Sequence, residues 1–219
     1  MDSDAYASFV SIDMELQVPD AVIGVIGATE CANLVDAGGL RNSLEVIARA
    51  AEYWKRKGPA ACAIHMGNVV APEAAAAGSQ WDALDSFDEE RRRACVPWHF
   101  APGLADHACF GDPQTGATVA AALRPSCDDA GERAWYAVFP CSGWRIIVLD
   151  SFDISLVGQR EDSEAHATAL ELLRSQNPNP PGAADPLAGL SGEARRFGPH
   201  GGGIGPLQYA EIEPRLSRD

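Results

Sequence analysis

Basic side chains are scarce in this sequence. Against 31 acidic residues stand 17 Lys and Arg, and the 219-residue chain carries a formal net charge of -14. Binding nucleic acid by neutralising phosphates needs a basic surface, so this balance argues against that class of function. It disfavours docking to an anionic membrane surface for the same reason. Long apolar runs are absent too: nothing approaches the ~18 consecutive apolar residues that span a bilayer. The first twenty residues, MDSDAYASFVSIDMELQVPD, are acidic and lack the basic n-region of a secretory signal. They equally lack the Arg-rich, acid-poor character of a transit peptide. The cytoplasm is therefore the expected compartment, with an organelle as the alternative. No two cysteines form a CxxC pair. Cys31, Cys62, Cys95, Cys109, Cys127 and Cys141 are scattered, several of them inside apolar runs. That pattern predicts reduced, buried small hydrophobes rather than a disulfide framework or a zinc site.

What is present is core material. The chain is 46% hydrophobic and long enough for one sizeable domain. A short Val- and Ile-rich run predicts a buried strand near 21–27, and further apolar runs predict strands near 60–66, 96–101, 117–123, 135–140 and 144–149. Around Cys141-Ser142-Gly143 the last two read as a hairpin. Leu44, Ile47, Ala48, Ala51 and Trp54 recur at helical spacing and predict a helix over 40–57. A second helix is expected over 161–175, with Ala165, Ala169, Leu172 and Leu173 on one side. Glu73 to Cys95 turns from alanine-rich to charged, and its mixed-sign run Asp88 to Arg93 reads as a solvated helix face. Beyond 179 the segments NPNPPGAADP and GPHGGGIGP are dense in Pro and Gly, as in a loop and tail. Strands alternating with helices indicate an α/β layered domain. The expected organisation is an N-terminal extension over 1–20, the α/β domain over 21–179, and a Pro/Gly-rich loop and tail over 180–219.

Isolated motifs carry little chemistry. Gly24 and Gly27 fall short of the three glycines a dinucleotide-binding turn requires. No Lys-Ser/Thr follows the run Gly201-Gly202-Gly203, so a phosphate-cradling loop is not indicated and a flexible loop is expected. His65 and His99 sit in apolar strands, where a hydrogen-bonded core histidine is the ordinary reading. Asp150 and Asp153 form either an acid/base carboxylate pair or the cap of a turn after a strand.

Taken in order, however, several stretches resemble one family, the manganese-dependent ADP-ribose/CDP-alcohol diphosphatases of the calcineurin-like metallophosphoesterase superfamily. The hairpin WYAVFPCSGWRIIVLDSFDISLVG is the nearest match, and helix 161–175 running into ELLRSQNPN continues it. Upstream, GVIGATECAN places Ala28 and Glu30 where the family's first strand carries Asp and Gln. IHMGNVV places Gly67 and Asn68 where it carries Gly and a bridging Asp. Within VPWHFAPGLADHACF, Gly103, Leu104, Ala105 and Asp106 fall on the family's Gly-Asn-His-Glu, whose Asn is a ligand and whose His is a catalytic donor. The resemblance runs from about Val22 to Asn179, with a weak continuation over 196–208. The family's later Gly-His-x-His ligands have no counterpart in the sequence.

The resemblance implies a metallophosphoesterase-like αββα sandwich, incomplete at its C-terminal side. It also implies a degenerate site. Two dications about 3.5 Å apart repel by about 19 kcal/mol at an effective dielectric of 20, and carboxylates normally offset that. Among the matched positions Ala28, Glu30, Asn68, Leu104, Ala105 and Asp106, only Glu30 and Asn68 are candidate metal donors, and they would hold one ion weakly. The expectation is therefore no catalytic residue, no cofactor, and a non-catalytic role as a structural or accessory subunit bound to a protein partner or to further copies of itself. A working manganese-dependent hydrolase of nucleotide diphosphates is the alternative, with Asp106 and His107 as the residues that would rescue it. A fragmentary gene product is a third.

Overall fold

A computed structural model describes residues 22–31, 41–57, 60–93, 96–111, 122–123 and 133–216. The first three strands make a parallel sheet. β1 (Ile23–Ile26) pairs with β2 (Cys62–His65), and β2 with β3 (Trp98–Phe100), in the order β1-β2-β3. Parallel neighbours need a long crossover. Between β1 and β2 it contains α1 (Arg41–Lys57); between β2 and β3 it contains α2 (Pro72–Ala76) and α3 (Gln80–Arg92). The stretch that turns from alanine-rich to charged holds two helices, with Gly78 at a left-handed φ of +70° between them. The run Asp88 to Arg93 is not wholly solvated either. Arg91 is buried, pairs with Asp88, and lies over the Phe100 ring at 5.8 Å.

The core sits between this sheet and its helices. Ile47, Ala51 and Trp54 recur on one face of α1, and Ala83, Leu84 and Phe87 face inward from α3. Phe87 meets Trp98 and Phe100 edge-on at 5.9 and 5.8 Å. Trp54 lies so close to β1 that a Cβ at Gly24 would collide with its indole carbons. Gly24 is thus a packing glycine, whereas a Cβ at Gly27 would meet nothing within 4 Å.

α4 (Leu104–Phe110) follows β3 directly. β4 (Tyr136–Val138) and β5 (Ile146–Val148) form the expected antiparallel hairpin. Its Tyr136 hydroxyl accepts from the Phe100 N–H at 2.9 Å and donates to the Phe100 carbonyl at 3.2 Å, capping backbone groups that β2 does not use. Of the strand expected over 117–123, only Ala122 and Leu123 are described, and they are helical.

The segment read as a loop and tail contains regular structure. After β6 (Ile154–Ser155) and α5 (Glu164–Gln176) come a 3-10 turn over Gly192–Arg196, β7 (Gly202–Gly203) and α6 (Pro206–Leu216). α5 starts where Ser163 Oγ accepts the His166 N–H at 3.1 Å. β7 pairs antiparallel with β6, and a Cβ at Gly202 would collide with the Ser151 carbonyl. Within the triple glycine, Gly202 therefore serves close backbone approach in a strand. No helix among the described residues is long and apolar enough to cross a membrane. The N-terminal extension, Cys95 and Cys127 lie outside the described residues.

Candidate functional site at the strand ends

In open α/β sheets, ligands bind beyond the carboxyl ends of the parallel strands. Here those ends bring together Ala28 to Cys31, Met66 to Val70, and Ala101 to Asp106. Asn68 is the hub of the backbone. Its carbonyl accepts from Thr29 and Glu30 at 3.2 and 2.9 Å, and Cys31 forms a parallel bridge with Val70. Glu30 and Asn68 both adopt left-handed backbone, with φ of 47° and 53°.

Beneath this hub, His65 is fully buried. Thr29 Oγ1 donates to the Val69 carbonyl at 3.1 Å, which uses its only proton, so at 3.0 Å His65 Nε2 must donate to it. His65 Nδ1 then accepts from Gly67 N–H at 3.2 Å, which fixes a neutral ring. Burial lowers the His65 pKa to about 3, in agreement with that assignment. His99 is also buried, with its pKa pulled down by burial, and its Nδ1 has no partner among the described residues.

The predicted site positions divide into two groups. Ala28 and Glu30 are exposed, and Leu104 is an exposed apolar residue at the start of α4. Asn68, Ala105 and Asp106 are tied into a clamp. Asp106 is fully buried: its Oδ2 accepts from Asn68 and Gly103 N–H at 2.8 and 2.9 Å, and its Oδ1 from Val69 N–H at 2.7 Å. Burial pushes its pKa up, opposed by these backbone bonds and one from Val70. In return, Asn68 Oδ1 accepts the Ala105 N–H at 3.0 Å, satisfying an otherwise open amide in the first turn of α4. A Cβ at Gly103 would collide with that Asn68 oxygen, and one at Gly67, whose φ is +93°, would lie 2.7 Å from Gly103 N.

A second constellation adjoins the first. His107 Nε2 meets Asp150 Oδ1 at 3.0 Å, both side chains buried, with Phe152 packed against the imidazole. Asp150 Oδ1 also accepts from Phe152 N–H at 2.9 Å, so Asp150 caps its turn as well. Asp153 does not share a site with it as an acid/base pair. Its Oδ2 accepts from Gly205 N–H and Gln208 Nε2.

Gln208, on α6, went unrecognised in the sequence. It is fully buried, accepts the Asp150 N–H at 2.8 Å and donates to the Asp150 carbonyl at 2.9 Å, as a neighbouring strand would. The available signal was weak: a polar residue two positions after Pro206, inside a segment otherwise read as tail.

This arrangement is the α/β metallophosphoesterase fold. A dimetal phosphatase from Danio rerio superposes with a TM-score of 0.73 at 22% identity, covering 90% of this chain and 66% of that one. By sequence, the chain is similar to manganese-dependent ADP-ribose/CDP-alcohol diphosphatases. It is 28% identical over 200 residues to one from Oryza sativa subsp. japonica and 28% over 205 residues to one from Arabidopsis thaliana, covering 88% of this chain in each case. A third, from Danio rerio, is 22% identical over 178 residues. No family model matches the chain. The chain spans 60 and 61% of the two plant relatives' lengths.

These names correct one expectation. A protein needing no cofactor was anticipated, whereas the relatives are named manganese-dependent and the structural neighbour is a dimetal phosphatase, so a metal is the cofactor to which the similarity points. The described strand-end residues do not by themselves fit a two-metal centre. No three His, Cys, Asp or Glu among the described residues converge on one point. The Asn68 amide oxygen and both Asp106 oxygens are already engaged by backbone amides.

Proposed function

We propose that this chain retains a metallophosphoesterase scaffold without diphosphatase turnover of its own and serves as a structural or accessory subunit, bound to a protein partner or to further copies of itself. One observation carries the reading: the oxygens at the strand ends are spent inside the protein. Asn68 caps α4, Asp106 binds three amides, and Ala28, Leu104 and Ala105 offer no donor or acid. Glu30 is the remaining exposed carboxylate among the matched positions. Groups that act together in catalysis are grossly non-additive, and losing several leaves little beyond binding.

The second reading is an active, metal-dependent hydrolase of nucleotide diphosphates. The relatives' names favour it, and His107 with Asp150 is the acid–base pair it would draw on. Purified chain supplied with Mn²⁺ is assayed on ADP-ribose and on CDP-choline, with its native mass measured in parallel. The expected result is no turnover above the blank, in a chain that elutes as an oligomer or within a larger complex. Turnover that EDTA abolishes, and that Glu30→Ala or Asn68→Ala lowers, would establish the hydrolase instead. A monodisperse monomer that melts cooperatively would remove the subunit role.

A further inference from the structure

The donor set of the strand ends disagrees with a metal-held centre, and the disagreement has a structural content. Loops that end parallel strands need something to fix them. Here that fixing is done by one carboxylate and one amide from the chain itself. Asp106 reaches from α4 to the amides of Asn68 and Val69 after β2 and of Gly103 after β3, at 2.7 to 2.9 Å. Asn68 reaches the other way, from the β2 end to the Ala105 amide at 3.0 Å. The two contacts are reciprocal, so neither loop moves without breaking both. Gly67 and Gly103 make the approach possible, since a Cβ at either would strike the opposite loop. Asp106 is fully buried, its carboxylate bonded at both oxygens, and nothing in the clamp calls on a cation.

We propose that this reciprocal clamp, rather than a bound ion, holds the strand-end loops in place, so that their geometry survives removal of metal. The proposal concerns the loops' conformation and is independent of whether the chain hydrolyses a diphosphate.

Hydrogen–deuterium exchange at single-amide resolution tests it on the full chain, in Mn²⁺ and after EDTA. Protection of the Asn68, Val69, Gly103 and Ala105 amides is expected to be the same in both. Asp106→Asn replaces one acceptor oxygen with a donor, and it should speed exchange at Asn68, Val69 and Gly103 by roughly 10-fold or more, the loss of a charge-assisted hydrogen bond. Asn68→Ala should speed exchange at Ala105 in the same way. The Ala63 and Met66 amides, bonded to Pro97 and Ile26 within the sheet, serve as the reference and should hold. Selective loss of clamp protection in EDTA while the sheet amides stay protected would overturn the proposal. So would unchanged protection at Asn68, Val69 and Gly103 in Asp106→Asn. Should Asp106→Asn unfold the sheet as well, the comparison of metal states on the unaltered chain decides the question.

Discussion

Replacing Gln208 with Leu should destabilise the protein out of proportion to its place near the end of the chain. The side chain is fully buried, and its amide pairs with both backbone groups of Asp150, at 2.8 and 2.9 Å. Leucine has similar bulk, so the cavity left behind is small. What remains is a buried N–H and a buried carbonyl with no partner, each costing ~1–3 kcal/mol. Asp153 keeps its bond from Gly205 and adds little to the loss. A total near 4 kcal/mol corresponds, for a chain of this length, to a fall of ~8–16 °C in the melting temperature. Thermal unfolding followed by circular dichroism measures it. Tyr209→Ala is the control, one residue along the same helix but 60% exposed, and it should stay within ~0.5 kcal/mol of the unaltered chain. If Gln208→Leu melts within ~2 °C of the unaltered chain, the amide is not acting as a surrogate strand for Asp150.

Three other outcomes follow from the same geometry. Stability should fall as the pH drops from the ordinary histidine pKa of 6.5 toward 3, because unfolded chain binds a proton that buried His65 refuses. Its share is about 5 kcal/mol over that window. Denaturant unfolding at several pH values reads it, and His65→Gln should flatten the slope. Cys31, Cys62 and Cys109, whose thiols burial pushes up to about 11, should resist alkylation of the native protein at pH 8, whereas half-exposed Cys141 should label, as peptide mapping would show. Assays with Mn²⁺ on ADP-ribose and CDP-choline should show no turnover above the blank, and EDTA-sensitive turnover would reverse that reading.

The fold was legible where a single physical signal decides an element. Short apolar runs with turn residues nearby marked β1, β2, β3 and the β4–β5 hairpin close to their observed bounds. α1 was equally readable from its 3.6-residue stripe. The C-terminal segment was not, for reasons that are also physical. β7 consists of two glycines, of which Gly202 lies too close to the Ser151 carbonyl for a side chain, and glycine carries no strand signal. α6 is opened by a proline and contains another at Pro214, which composition alone reads as a breaker. At the site, aligning landmarks in order found Asn68 and Asp106 but not what they do. Their oxygens meet backbone amides 37 or 38 residues away, and no local pattern reports a contact of that kind.

The substitutions at the strand ends become intelligible once the clamp is separated from the chemistry. Along the stretch matched to Gly-Asn-His-Glu, this chain keeps the glycine and an acid and changes the two residues between them. Gly103 and Asp106 are the two that the clamp requires, one for the space beside Asn68 and the other for its carboxylate. Leu104 and Ala105 bring no polar side chain to the clamp, and Ala105 enters it only through its backbone amide. The same division holds after β2, where Gly67 keeps the left-handed turn that lets the loops meet, and Asn68 supplies an acceptor that needs no charge.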